Sequence, residues 1–326
     1  MKKYLLFLLT CICLSSCQET KQSDSNTTNP STKKPMPKID YPTFNGESAK
    51  ALIQKQVDFG PRVPGTPTHK ACAEWLETTL KQSADKVIVQ SSEVTVYNGK
   101  QVPMYNIIAS FNPENKERIM LSAHWDTRPF ADQDVERVNE PIEGANDGGS
   151  GVAVLLELAK ILKEKPVKLG VDIMLWDVED YGKGEAETYC LGSQYWSRNK
   201  HVFNYRAKYG ILLDMVGAKN AIFYQEGNSL NYAKFVVDKV WKAAHESGYR
   251  SYFSFDQANP ITDDHLFINA LTGIPTIDII QYDQHSPQGF FPQWHTHEDN
   301  MDQISPKTLK AVGQTLVKVI YDEDAR

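Results

Sequence analysis

The chain has 326 residues, 41% of them hydrophobic, and a formal net charge of −6. That length and apolar fraction allow one large domain with a sizeable core. The acidic balance, with no basic stripe to neutralise phosphates, excludes nucleic acid as a partner.

At the start, Lys2 and Lys3 precede an apolar run over residues 5–14. The run is too short to span a bilayer and predicts a signal peptide over 1–16. It ends in Leu14-Ser15-Ser16-Cys17, which resembles a bacterial lipobox. The resemblance implies cleavage before Cys17 and acylation of its thiol, so that the mature protein is held on a membrane facing the periplasm or cell surface. Residues 17–40 are built from Ser, Thr, Asn, Lys, Gln and Pro. With almost nothing to bury, they predict a disordered tether. The catalytic domain is expected over 41–326, and no later segment is apolar enough to cross a bilayer. Cys72 and Cys190 follow the leader. They can pair in an oxidising compartment or stay as buried thiols, because sequence does not fix the separation of their Cα atoms.

Within the domain, runs rich in Val, Ile, Leu and Met predict strands at 86–96, 105–111, 118–123, 170–176, 209–215 and 274–281. Several are apolar at consecutive positions, as strands covered on both faces must be. The first two alternate like an antiparallel pair. Helical periodicity marks 68–81, 152–163, 229–246 and 306–321. The alternation predicts a single-domain three-layer α/β/α sandwich around a mixed, mostly parallel sheet.

In such sheets ligands sit outside the carboxyl ends of the strands. His124, Trp125 and Asp126 follow the third strand, and Asp177-Val178-Glu179-Asp180 follow the fourth. Asp214 ends the fifth. Gly144-Ala145-Asn146-Asp147-Gly148-Gly149-Ser150-Gly151 opens a helix, and Trp294-His295-Thr296-His297 closes the last long loop. The glycine-rich turn lacks the Lys of a nucleotide loop and carries Asp instead. Each group taken singly is an ordinary loop residue, but so many carboxylates at one edge would repel without a cation. Asp and His ligands with room for water describe a catalytic zinc site better than a magnesium or calcium site.

These motifs, in order, resemble the zinc-dependent exopeptidase family that contains bacterial aminopeptidases and animal-type glutaminyl cyclases. The matching segments are FGPRVPGT over residues 59–66, HWD at His124, GANDGGSG around Asp147, and the acids Glu179-Asp180. LLDMVG around Asp214, DDH at Asp263–His265 and WHT at Trp294 complete the set. The resemblance implies two possible site chemistries. In an aminopeptidase, His124, Asp147, Asp180, Asp214 and His295 hold two zincs, with His124 and Asp214 on the second ion. Glu179 then activates a metal-bound water.

In a glutaminyl cyclase, Asp147, Asp180 and His295 hold one zinc, and peptides with an N-terminal Gln are the substrates. Glu179 is the general acid/base, Asp214 and Asp263 share a proton, and Trp294 packs on the substrate. Asp263, where the aminopeptidases carry Ser, and Trp294 before His295 place the chain in the cyclase branch. Two departures stand out. Asp180 replaces the Glu of the animal cyclases, and residues 181–189 lack their Trp. Tyr189, Trp196, Phe290 and Phe291 are the candidates to rebuild that pocket wall.

Overall fold

The computed structural model describes residues 39–326. The expected signal peptide over 1–16, Cys17 and nearly all of the 17–40 tether lie outside the described residues. Eight strands form the framework: β1 (Lys86–Thr95), β2 (Gln101–Phe111), β3 (Arg118–His124), β4 (Gly170–Trp176), β5 (Gly210–Asp214), β6 (Phe223–Gln225), β7 (Phe253–Gln257) and β8 (Thr276–Ile280). Six of them make one sheet in the order β1-β2-β4-β3-β5-β8, and β6 pairs with β7 apart from it. β1–β2 and β2–β4 are antiparallel. β4, β3, β5 and β8 run parallel, so their carboxyl ends share one edge. The sheet is therefore mixed, as the sequence predicts.

Every residue of β3, β4, β5 and β8 is buried. Alternate side chains serve two cores, as the strand period of two requires. Ile119, Leu121, Ile173, Leu213 and Ile277 face the larger core. Met120, Met174, Trp176 and Leu212 face the smaller one. Seven helices cover the two faces: α1 (Gly46–Val57), α2 (Pro67–Lys81), α3 (Gly149–Glu164), α4 (Leu191–Arg198), α5 (Gly227–Glu246), α6 (Asp264–Thr272) and α7 (Pro306–Asp324). Helices α1, α2, α3, α5 and α7 contribute Ile53, Leu76, Leu155, Val240 and Leu316 to the larger core. Helices α4 and α6 contribute Trp196 and Ile268 to the smaller.

Some elements escape the sequence reading for local reasons. α1 buries only Gly46, Ala49, Ile53 and Gln56, too few apolar positions to show a period. It is stabilised instead by Asn45, whose side chain accepts the Glu47 and Ser48 amides. α4 is short and begins at Cys190, which has φ 55° and no side-chain cap. β2 starts earlier than expected because Val102 and Met104 alternate into a small cluster with Val96, Val178 and Tyr181. Cys72 and Cys190 are both free and buried. Among the described residues no helix is long and apolar enough to cross a membrane.

Candidate active site

The parallel strands deliver their last residues to one rim, and three buried side chains then set the loops beyond it. Asp126, two residues past β3, accepts the backbone amides of Glu179 (3.0 Å) and Asp180 (3.2 Å) with its two oxygens. Asp299 accepts the amides of Asn146 (2.8 Å) and Asp147 (3.0 Å) in the same way. Burial and the nearby Asp147 charge raise the Asp299 carboxyl to about 8. Arg62, in the early FGPRVPGT segment, is fully buried. It donates to the carbonyls of Trp125 (3.1 Å), Glu143 (2.7 Å) and Gly144 (2.7 Å), which ties β3 to the turn before α3.

Asp147, Asp180 and His295 come together on this frame, with one ligand atom from each within 4.8 Å of the others. All three are buried. His295 Nε2 lies 3.2 Å from Asp180 Oδ1 and 3.7 Å from Asp147 Oδ2. His295 Nδ1 meets Asp132 Oδ1 at 3.0 Å, which leaves Nε2 to face the two carboxylates. Asp180 Oδ2 is buried without a hydrogen-bond partner among the described residues. Two carboxylates, one oriented imidazole and an orphaned oxygen fit a zinc ion with an open position. His297, the neighbouring imidazole, turns away to Asp134 at 2.7 Å.

A second cluster adjoins the first. His124 Nε2 lies 3.0 Å from Asp147 Oδ1 and 3.2 Å from Asp214 Oδ1. The three also offer ligand atoms within 4.8 Å of one another. Burial disfavours a charged His124, but hydrogen bonds to Asp126, Asp147 and Asp214 outweigh it and hold the imidazole well above its usual range. Burial raises Asp214 to about 7, against the pull of His124 and with the help of the Asp147 and Asp263 charges.

Glu179 lines the same space. Burial lifts its carboxyl well above the ordinary range, opposed by His124 and reinforced by Asp180, Asp263 and Asp264. Its Oε1 accepts a hydrogen bond from the Cys190 thiol at 3.2 Å. Glu179, Cys190 and Asp263 lie within 4.8 Å of one another through their donor atoms.

Asp263 caps α6, accepting the Asp264 amide at 2.5 Å, and its carboxyl is also raised, chiefly by burial. The sequence reading pairs Asp263 with Asp214. Here Asp214 Oδ1 lies 3.2 Å from His124 Nε2, and Asp263 and Asp278 offer oxygens within 4.8 Å of each other. Asp278 sits inside the apolar run of β8 and is fully buried, and burial raises its carboxyl well above the ordinary range. An acid within a core strand gives no signal that it reaches a site.

A cavity of about 330 Å³ opens over these groups. Asp147, Glu179, Asp180, Asp214, Asp263 and His295 form its polar floor. Tyr189, Met215, Ile261, Ile280, Phe290 and Trp294 form its walls. The Trp294 ring stacks on His295 with centroids 3.6 Å apart and meets the Phe290 ring at a tilt, with centroids 4.8 Å apart. Of the four candidate wall residues, Tyr189 and Phe290 line the cavity. Trp196 packs in the smaller core against Trp176 and Tyr205, and Phe291 is buried below the pocket.

Arg128, Asp132 and Asp299 organise the site without being singled out by the sequence, whereas Asp126 is already marked as the last residue of the HWD segment. Asp299 lies just beyond the WHT segment, so its position is its signal. Arg128 and Asp132 come from an irregular loop with no periodicity to mark them.

Residues 106–320 match the model of peptidase family M28. The chain is 50% identical to the Bacteroides thetaiotaomicron glutaminyl cyclase solved with N-acetylhistamine, over 87% of this chain and 99% of that one, with a TM-score of 0.85. It is 48% identical to Tannerella forsythia glutaminyl cyclase over 86% of this chain and 99% of that one, again with a TM-score of 0.85. The aminopeptidase YwaD of Bacillus subtilis (strain 168) is 28% identical over 226 residues, which are 67% of this chain but only 44% of that protein. With its family match spanning most of the domain, this chain belongs to peptidase family M28.

Proposed function

We propose that the protein is a glutaminyl-peptide cyclotransferase that converts the N-terminal Gln of peptides to pyroglutamate and releases ammonia. The observation that carries this reading is a pair of carboxyls, the partly buried Glu179 and the buried Asp263, within 4.8 Å of each other beside the Asp147, Asp180 and His295 cluster. Hydrolysis and cyclisation both need a proton carried from the attacking group to the leaving nitrogen, a task Glu179 suits in either case. Cyclisation also needs the γ-amide of the Gln side chain held in place, and Asp263, beside Glu179, suits that task. The similarity to two bacterial glutaminyl cyclases along nearly their whole length supports the same reading.

One zinc ion, held by Asp147, Asp180 and His295, would supply polarisation of the γ-carbonyl and stabilisation of the oxyanion. The chain's own residues do the rest. Glu179 accepts a proton from the substrate α-amine and returns one to the departing amide nitrogen. Its raised affinity for protons suits that exchange near neutral pH. Asp263 and Asp214, whose carboxyls are both raised by burial, stand beside the leaving group and orient it. Trp294, locked flat against His295, offers a face for the aliphatic part of the Gln side chain.

A second reading, a two-zinc aminopeptidase, is favoured by one observation: His124, Asp147 and Asp214 are also close enough to hold an ion. Metal analysis of the purified protein separates the two. The cyclase reading expects close to one zinc per chain at full activity. Two tightly held zincs, both needed for turnover, would favour the peptidase.

The lipobox-like Leu14–Cys17 segment supports a further part of this reading: attachment to a bacterial membrane through acylated Cys17. Labelled fatty acid is expected to enter the wild-type protein and not Cys17→Ala. Equal labelling of both would remove the anchor from Cys17.

A further inference from the structure

Arg128 is 1% exposed, and its guanidinium is divided between two acids. Nη1 donates to Asp180 Oδ1 (2.8 Å), to the Asp180 carbonyl (3.0 Å) and to the Gly182 carbonyl (3.3 Å). Nε and Nη2 donate to the two oxygens of Asp132, both at 2.8 Å. Asp132 Oδ1 in turn meets His295 Nδ1 at 3.0 Å. One guanidinium therefore grips Asp180 by both side chain and main chain, and reaches His295 through a single carboxylate. The ring of Phe130 covers it, with the guanidinium carbon 4.3 Å from the ring centre, which keeps water from competing for its donors.

We propose that Arg128, with Asp132, is a clamp that fixes Asp180 and His295 in metal-binding geometry. Three acids, Asp147, Asp180 and Asp132, converge here. Without a positive charge they would splay apart whenever the ion leaves. The guanidinium stays in place of that charge, so the ligands are already arranged before an ion arrives. It engages Asp180 Oδ1 and leaves Oδ2 without a hydrogen-bond partner among the described residues, so the carboxylate keeps a free oxygen that a metal could use. The arrangement also answers a departure noted in the sequence. Asp180 has a shorter arm than Glu, and a fork holding both its backbone and its side chain keeps that arm in place. Lys could supply the charge but not the planar fork that serves both acids.

Arg128 and Asp132 act here as positioning residues. The inference rests on Asp147, Asp180 and His295 being a metal site, and not on which reaction that site performs. The test is zinc affinity, measured on the apo-protein by competition with a chromophoric chelator for wild type, Arg128→Lys and Asp132→Asn. The folded state of each is checked by its thermal melt without metal. Wild type is expected to bind zinc, and each variant to bind about 10- to 100-fold more weakly. The double variant should be little worse than the weaker single, because the two residues form one unit. Should Arg128→Lys fail to fold, Asp132→Asn carries the test, since that side chain is about one-third exposed. Folded variants with wild-type zinc affinity would overturn the clamp while leaving the metal site intact. Failure of wild type to bind zinc would overturn the metal reading and the clamp with it.

Discussion

Glu179 shows how a single residue's chemistry is set by its neighbours. Burial pushes its carboxyl toward the protonated form, His124 pulls the other way, and three surrounding acids add to the push. The backbone on which it sits is fixed by Asp126, and its carboxyl accepts a hydrogen bond from the Cys190 thiol. Replacing Glu179 with Gln keeps the shape and removes the proton traffic. Turnover is expected to fall by at least about 100-fold while zinc content is unchanged. Ammonia release and metal analysis on the same sample check this, and a variant that kept most of its turnover would displace Glu179 from the role. At this scale the sequence was informative where a residue directly follows a strand or opens a helix, as with His124, Asp147, Glu179, Asp180 and Asp214. Arg128 and Asp132 could not be read in that way. Their importance comes from hydrogen bonds across an irregular loop, and such bonds leave no spacing behind.

Helices and strands set how firmly these side chains are held. α3 presents Asp147 just before its first turn, and the helix lies so close to β5 that a Cβ on Gly151 would come within 2.3 Å of the Leu213 carbonyl oxygen. Gly151→Ala must therefore push α3 off the sheet. A loss of about 1–3 kcal/mol is expected, read as a lower melting temperature together with weakened zinc binding. An unchanged melt would mean that the helix and strand can separate freely.

The start of α5 gives a second test. Glu226 caps this helix, accepting the Asn228 and Ser229 amides and the Ile261 amide at 2.6–3.0 Å, and it lies 3.0 Å from His265. Burial opposes its charge, but His265 and the amides outweigh burial and lower the carboxyl from 4.5 to about 2. The folded value is below the unfolded one, so the contribution is complete above 4.5 and is lost as pH falls toward 2. It amounts to about 3 kcal/mol. Urea melts over that window should show wild type losing more stability than Glu226→Gln, and parallel losses would contradict the assignment. The long apolar strands were legible because they are covered on both faces. α1 and α4 were not, since one buries small and polar residues beside Ile53 and so shows no apolar period, and the other is short and uncapped.

The whole molecule places four parallel strand ends on one rim, and the site follows from that topology. No single loop carries the proposed zinc ligands: Asp147 precedes α3, Asp180 follows β4, and His295 follows β8 by way of a long loop. An ion bound there bridges segments distant in sequence and must stabilise the folded state as well as the chemistry. Zinc at about 100 times its dissociation constant is expected to add about 2.7 kcal/mol. A chelator should therefore lower the melting temperature, and re-added zinc should restore it. A melt indifferent to both would separate the metal from the fold. The layered architecture was readable because its strand and helix patterns alternate along the chain. The reaction was harder to read, because the two readings use most of the same residues and part at Asp263 and at whether His124 and Asp214 hold a second ion.

That difference is tested most directly by products. The protein is given a dipeptide beginning with Gln and, separately, one beginning with Leu, and ammonia and free amino acid are measured in each. The account predicts ammonia and a cyclised product from the first, with its peptide bond intact, and no free Leu from the second. Free Leu without ammonia from the Gln peptide would contradict it and make His124 and Asp214 ligands of a second metal.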